Sequence, residues 1–233
     1  MVDTGRFQFG MGLVAVVGTV AAQLAERQGG EVSPLQVATF LPLDVDSVGR
    51  ILENLADEES IEPVERDGLR LFRIDAPDQL KRAPVDLDRR EYIETWDELD
   101  DELAEIHIDG ERSETVLEQH ELIRAASELS PEGGRIELAD LEERADVGTA
   151  RLQSLLNDFD VECFVDCVFH EDDERLEYEF PPIDYPEARY RKNLELLDRL
   201  VEHSESSTRR WLWLAAGALM LFLIVFAVRF YAA

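Results

Sequence analysis

The sequence predicts an α+β fold, mainly α, in which a unit of three helices and a β-hairpin occurs twice, followed by a C-terminal transmembrane helix. The repeat is predicted by two pairs of glycines, Gly29-Gly30 and Gly133-Gly134, which stand 104 residues apart and are followed by the same apolar pattern. The transmembrane helix is predicted by residues 211–228, a run of 18 residues without a charge.

The first unit is predicted over residues 1–80, and residues with known preferences mark its helix ends. Gly29-Gly30 ends the first helix, because glycine readily adopts the left-handed conformation of a helix stop. Ser33-Pro34 starts the second helix, with Ser33 as N-cap. Asp44 or Asp46 caps the third helix, whose predicted inward face consists of Val48, Ile51, Leu52 and Leu55.

A β-hairpin completes the first unit. Ile61–Val64 and Leu69–Ile74 read as short strands, and the dipeptide Asp67-Gly68 between them is typical of a tight hairpin turn.

The second unit is predicted over residues 113–185 and repeats this order. Its first helix ends before Gly133-Gly134, and the other elements are predicted at Ile136–Arg144 and Val147–Phe159 for helices and at Val161–His170 and Leu176–Phe180 for strands. The shift of 104 residues superposes the apolar positions Val32 on Ile136, Val37 on Leu141, Val48 on Leu152, Ile51 on Leu155, Leu52 on Leu156 and Leu55 on Phe159.

This order of elements resembles the winged helix, a helix-turn-helix variant with a hairpin wing. The pattern of Gly-Gly, short helix, turn, helix and a hairpin ending in Phe180-Pro181 is also similar to the winged-helix modules of membrane-attached prokaryotic proteins. The resemblance implies a fold and little about activity.

Two further amphipathic segments flank the second unit. The acidic connecting helix, 81–112, carries Tyr92, Trp96 and Leu99 at heptad spacing, and the predicted stalk helix, 186–210, has the same spacing. Each seam can pack against a unit of its own chain or form a homodimer, and the sequence leaves both interpretations open.

The predicted transmembrane helix, 211–231, gives the protein a single-pass location in the cell membrane, with the lipid bilayer as one partner. Basic residues cluster before the apolar run and only one follows it, which predicts that the N-terminal domain is cytoplasmic. The residues predicted to lie at the two membrane interfaces are Arg209, Arg210, Trp211, Trp213, Arg229 and Tyr231.

The charge is strongly acidic, with a formal net charge of −29 at pH 7 and only two lysines, Lys81 and Lys192. This composition resembles that of proteins from salt-loving archaea, in which hydrated carboxylates keep proteins soluble while molar salt screens their repulsion. The alternative is an acidic surface that binds a partner in an ordinary cell.

The first helix is unusual, because residues 7–25 carry no charge. Three interpretations stay open: a helix buried inside the fold, a surface for a partner or the membrane, or a signal peptide or second span. The small residues that would allow a partner to approach closely are Ala15, Gly18, Thr19 and Ala22. Together with Tyr92, Trp96 and Leu99 they form the predicted partner surface.

The sequence shows no catalytic, cofactor-binding or metal-binding constellation, so we expect a protein that is not an enzyme and has no cofactor. Cys163 and Cys167, on the predicted strand Val161–His170, would lie too far apart for a disulfide, and we expect buried thiols.

These features predict a membrane-tethered adaptor that binds a partner protein through tandem winged helices. The alternative is a membrane-bound transcriptional regulator that reads DNA through the third helix of the second unit, with Thr149, Arg151, Gln153 and Asn157 as candidate reading residues. DNA binding is less favoured, because the third helix of the first unit and the wing of the second unit are acidic and would repel phosphates. An exported protein is a third possibility.

Overall fold

A computed structural model describes residues 11–56, 61–81, 110–170, 172, 175–199 and 201. The fold is α+β and mainly helical, with two small three-stranded sheets. Among these residues no helix is long and apolar enough to cross a membrane. Several predicted features lie outside the described residues: most of the connecting helix with Tyr92, Trp96 and Leu99, the transmembrane helix, and Arg209, Arg210, Trp211, Trp213, Arg229 and Tyr231.

The first unit contains four helices and three strands. In chain order they are α1 (Met11–Gln28), β1 (Glu31–Val32), α2 (Pro34–Ala38), α3 (Val45–Ala56), β2 (Ile61–Arg66), β3 (Leu69–Ile74) and α4 (Pro77–Leu80). The strands form an antiparallel sheet in the order β1-β3-β2, with Val32 opposite Phe72 and Val64 opposite Leu71.

The second unit has the same order of helices and strands. Its elements are α5 (Gly110–Leu129), β4 (Gly134–Glu137), α6 (Leu138–Arg144), α7 (Thr149–Val161), β5 (Asp166–His170), β6 (Arg175–Phe180) and the helix α8 (187–199). The sheet order β4-β6-β5 is also that of the first unit. A shift of 104 residues moves the first residue of α3, Val45, onto Thr149, the first residue of α7.

Most of the predicted helix ends and turns are confirmed. Ser33 caps α2, accepting a hydrogen bond from the backbone N–H of Gln36 while the Gln36 side chain accepts one from Ser33. Asp44, not Asp46, caps α3, since its carboxylate accepts a hydrogen bond of 2.7 Å from the N–H of Ser47. Asp67-Gly68 forms the hairpin turn, with both residues at positive φ.

For two elements of the second unit, the predicted first residue was wrong. Ile136 belongs to β4, and the helix begins only at Leu138. The predicted strand Val161–His170 is mostly turn at its beginning, because α7 continues to Val161 and β5 starts at Asp166. The intervening apolar side chains Phe164 and Val165 are at most 2% exposed without belonging to a strand, and Phe164 packs against Gly49 of the first unit and Phe159 of its own.

Helix α1 is part of the core, and most of the residues of the predicted partner surface on this helix are buried. Thr19 and Ala22 are fully buried and Ala15 is half-buried. A Cβ on Gly18 would lie 3.3 Å from the Leu55 side chain of α3. The Thr19 hydroxyl donates to the backbone oxygen of Ala15 at 2.7 Å. The lack of charge over residues 11–25 is therefore explained by burial within the first unit.

The described part of the stalk is also packed against the rest of the chain. Helix α8 starts directly after Pro186, as predicted. However, Leu196 and Leu197 are at most 4% exposed, and Asn193 is buried against the first unit. Over residues 187–199 this helix is thus part of the folded domain and presents no free apolar seam.

The turn after α7 attaches the second unit to the first. The backbone oxygen of Cys163, which has a φ of 58°, accepts a hydrogen bond of 2.7 Å from the N–H of Arg70 on β3. The next residue, Phe164, packs over Gly49 in the middle of α3. Under the 104-residue shift, Gly49 of α3 corresponds to Gln153 of α7. Gln153 is exposed, so the equivalent face of α7 is not covered by a side chain as Gly49 is by Phe164.

We therefore expect Gly49→Ala to destabilise the protein. A Cβ at this position would lie 2.9 Å from Cζ of Phe164, which is closer than packed atoms tolerate. Overpacking of this kind costs about 1–3 kcal/mol in the free energy of unfolding, and the better helix propensity of alanine offsets about 1 kcal/mol of that loss. The net change is measured by chemical denaturation of the full-length protein in nanodiscs. In the background Phe164→Leu the penalty of Gly49→Ala should shrink, and an unchanged penalty would contradict the assigned contact.

Candidate functional site

A buried histidine connects the second unit to the loop between α2 and α3. His120 of α5 is 1% exposed; its Nε2 lies 3.0 Å from the backbone oxygen of Leu43 and its Nδ1 lies 2.6 Å from the hydroxyl of Tyr185. A carbonyl only accepts, so Nε2 carries the proton and Nδ1 accepts from Tyr185. Desolvation by burial lowers the pKa of His120 to about 4, and the ring is neutral at pH 7.

The same network continues onto α8 and returns to the first unit. The Asn193 amide nitrogen donates to Tyr185 at 2.8 Å and to the backbone oxygen of Thr39 at 3.0 Å. The Arg189 guanidinium lies 3.7 Å above the Phe40 ring. The α2–α3 loop is thus held by side chains from both α5 and α8, which fixes the relative position of the two units.

A groove of about 490 Å³ opens between the units on another side. One wall comes from the first unit, at the end of α1, β1 and the β2–β3 hairpin, and the other from the glycine pair before β4 and the end of β6. The residues that line it include Gln28, Glu31, Arg66, Asp67, Leu69, Leu71, Glu132, Gly133, Glu179, Phe180 and Pro182. The volume is in the range of about 300–1,000 Å³ found for ligand pockets.

The groove is held open by direct contacts between the units. Gln36 of α2 donates from its amide nitrogen to the backbone oxygen of Pro182 at 2.8 Å. The turn residue Gly68 lies so close to β5 that a Cβ there would be 2.8 Å from the Asp166 carboxyl carbon. Contacts at these two positions define the width of the groove and make it a preformed feature.

The candidate DNA-reading residues form only part of a free face on α7. Thr149, Gln153 and Asn157 are exposed. Arg151, in contrast, is engaged within the unit: its Nε donates to Glu118 at 2.7 Å and its Nη2 donates to Thr115 at 3.0 Å, both on α5. The cation expected to approach a base or a phosphate is therefore bound to a carboxylate of its own unit.

The corresponding helix of the first unit, α3, is less accessible. The second unit covers its N-terminal half, where Gln119 accepts a hydrogen bond of 2.9 Å from the N–H of Val45 and Phe164 covers Gly49. Burial, with the nearby carboxylates of Asp44 and Glu162, raises the pKa of Asp46. The N-terminal half of α3 is thus acidic and partly covered by the second unit, which disfavours phosphate binding there.

Neither the groove nor the histidine network could be predicted from the sequence, because both depend on how the units pack. In the described part of the chain, no three histidine, cysteine or acidic side chains are grouped to hold a metal ion. Cys163 and Cys167 are unpaired thiols and only half-buried, where fully buried thiols were expected.

Comparison with known proteins assigns no relative to the chain, since no protein-family model matches it and no curated protein matches it significantly.

Proposed function

We propose that this protein is a non-enzymatic, membrane-tethered interaction module, in which two winged helices are joined as one body and the groove between them binds a partner protein. The winged-helix assignment is supported by the element order and by the sheet orders β1-β3-β2 and β4-β6-β5, in which the first strand pairs with the last strand of the hairpin. The groove between the units is the observation that carries the interaction proposal.

Two features of the structure favour protein binding over DNA binding. The Asn193, Tyr185 and His120 network fixes the units, so a ligand entering the groove meets a preorganised surface. The helices that would read DNA are poorly suited to it, because the second unit covers part of α3 and the Arg151 cation of α7 is paired with Glu118. Anchoring through the predicted transmembrane helix would confine the groove to the cytoplasmic face and raise its effective concentration for a partner there.

The test is crosslinking in the high-salt host, followed by affinity purification of the membrane-inserted protein and identification of both proteins and DNA. We expect a defined set of proteins without an enriched DNA locus, and we expect Leu71→Ala in the groove to reduce its recovery. The control Val161→Ala changes an apolar side chain that is 76% exposed at the end of α7, away from the groove, and should leave recovery unchanged. Enrichment of one discrete DNA site would overturn the proposal.

The alternative function, a membrane-held transcriptional regulator, keeps one supporting observation, the exposure of Thr149, Gln153 and Asn157 along α7. It predicts that the purified protein binds a specific duplex and that Gln153→Ala and Asn157→Ala each weaken binding by about tenfold. Under the adaptor proposal neither substitution changes partner recovery, so the two functions are distinguished by the same variants.

A further inference from the structure

Some acidic side chains of the groove are paired with arginines, and others are not. Glu31 forms ion pairs of 3.0 Å with Arg66 and with Arg73, and Glu179 forms one of 2.9 Å with Arg135. Asp67, at the hairpin turn, and Glu132, in the turn before the glycine pair, are exposed and make no ion pair with another described residue. The groove therefore presents an uncompensated carboxylate on each of its two walls.

Apolar surface lies in the same groove. Leu71 of β3 is half-buried and Pro182, after β6, is exposed, while Leu69 and Phe180 beneath them are at most 8% exposed. Pro181 and Pro182 have no backbone N–H, and the backbone oxygen of Pro182 already accepts from Gln36. This surface is suited to an apolar side chain, and the two unpaired carboxylates can accept hydrogen bonds from a ligand.

We infer that the groove binds an extended segment of a partner protein in which an apolar side chain is flanked by arginine or lysine. The apolar side chain packs on Leu71 and Pro182, and the cations pair with Asp67 and Glu132. This inference rests on the proposed function, since it specifies the partner of the same groove.

The attraction between the groove carboxylates and a basic segment acts at short range and persists at high salt. At about 1 M salt the Debye length is about 3 Å, so the overall negative charge of the protein attracts no distant ligand. Pairs that the bound segment covers from water are screened less than exposed pairs, and apolar contact is not screened by salt. An anionic segment would meet both unpaired carboxylates and is excluded by repulsion at short range.

The experiment measures fluorescence anisotropy of a labelled peptide, Gly-Arg-Leu-Pro-Arg-Gly, with the full-length protein in nanodiscs of neutral lipid at low and at molar KCl. We expect saturable binding at both salt concentrations. Replacing both arginines of the peptide with glutamate should abolish binding. In the protein, the double variant Asp67→Asn, Glu132→Gln should weaken binding by about tenfold. Asparagine tolerates the positive φ of 53° at position 67, and both sites are exposed, so the variant should fold.

The matched control is Glu143→Gln, a neutralisation at an exposed site on α6 outside the groove, and it should leave affinity unchanged. Three results would overturn the inference: the wild-type protein does not bind the arginine peptide, it binds the glutamate peptide as tightly, or Glu143→Gln weakens binding as much as the double variant does. Partner recovery that depends on Leu71 but not on Asp67 and Glu132 would overturn the inference while preserving the proposed function. A discrete DNA site recovered from cells, together with groove-dependent peptide binding, would overturn the proposed function alone.

Discussion

Gly133→Ala should destabilise the protein far more than Gly29→Ala, although the two glycines occupy the same position in the two units. Both have positive φ, 81° for Gly133 and 85° for Gly29, so each alanine has the same backbone penalty of about 1–2 kcal/mol. The surroundings differ. A Cβ at Gly29 meets nothing within 4 Å, whereas one at Gly133 would lie 2.6 Å from the backbone nitrogen of Pro182 and 2.9 Å from the carbonyl carbon of Pro181.

The obstructing atoms at Gly133 are backbone, which does not move out of the way as a flexible side chain can. We therefore expect an additional loss of about 1–3 kcal/mol at position 133, the usual range for overpacking. Chemical denaturation of both variants of the full-length protein, in nanodiscs at constant salt, gives the difference. Equal losses would show that the turn before β4 does not approach the Pro181-Pro182 segment as described.

The substitution also tests the groove, because Gly133 and Pro182 both line it. A Gly133→Ala protein that folds must separate these two segments, which changes the width of the groove. Peptide binding should then fall in the folded fraction of Gly133→Ala, while Gly29→Ala, at equal folded fraction, should bind normally.

The sequence predicted the parts of the fold that local chemistry determines. Ser33 and Asp44 start helices because their side chains bond to the first free N–H groups, and Asp67-Gly68 makes a tight turn because both residues tolerate positive φ. These preferences depend on neighbours in the chain and are visible without a structure.

Packing between distant segments is not visible in the same way. The apolar pattern around Phe164 was interpreted as a strand, because periodicity reports that a side chain is buried and not what buries it. In the structure Phe164 covers Gly49, more than a hundred residues earlier in the chain. The lack of charge over residues 7–25 allowed three interpretations for the same reason, and burial of Thr19 and Ala22 within the first unit favours the buried helix over the described part of this run.

The groove was missed because its walls come from turns with ordinary sequences. Asp67 and Glu132 are two of 52 acidic residues, so neither is distinctive in the sequence. Only the fold places them in one groove, beside Leu71 and Pro182.

Acidification should destabilise the protein between about pH 6.5 and pH 4 through His120. The ordinary pKa of a histidine is 6.5, and burial, which disfavours the charged ring, lowers the pKa of His120 to about 4 in the folded protein. The unfolded chain therefore binds a proton in this range that the folded protein does not bind, so the contribution is fully present above pH 6.5 and is lost as pH falls toward 4. The difference corresponds to about 3 kcal/mol in the free energy of unfolding.

The structural reason is that the ring is removed from water, and this burial outweighs the two neighbours that favour its charged form, the Leu43 carbonyl and the Asp44 carboxylate. Nε2 donates to the backbone oxygen of Leu43, and Nδ1 must accept from the Tyr185 hydroxyl, which itself accepts from Asn193. Protonation at Nδ1 would require the Tyr185 hydroxyl to turn its proton away and accept from the ring instead. Asp44 is the charged group that attracts the proton, and its effect is smaller than that of burial.

The measurement compares the pH dependence of unfolding in wild-type protein, His120→Gln and His170→Gln. Nearby carboxylates also lose stabilisation in acid, so part of the slope of stability against pH comes from them and not from His120. In Glu121, for example, burial acts to raise the pKa, but hydrogen bonds from Arg124 and other partners outweigh it and lower the pKa. His120→Gln should be less stable at pH 7 but should lose about 3 kcal/mol less than wild type between pH 6.5 and 4. His170, on β5 and bonded to Glu177 at 2.9 Å, is the control whose removal leaves the His120 contribution in place. If wild type and His120→Gln lose stability in parallel, the ring is not held neutral between the two units.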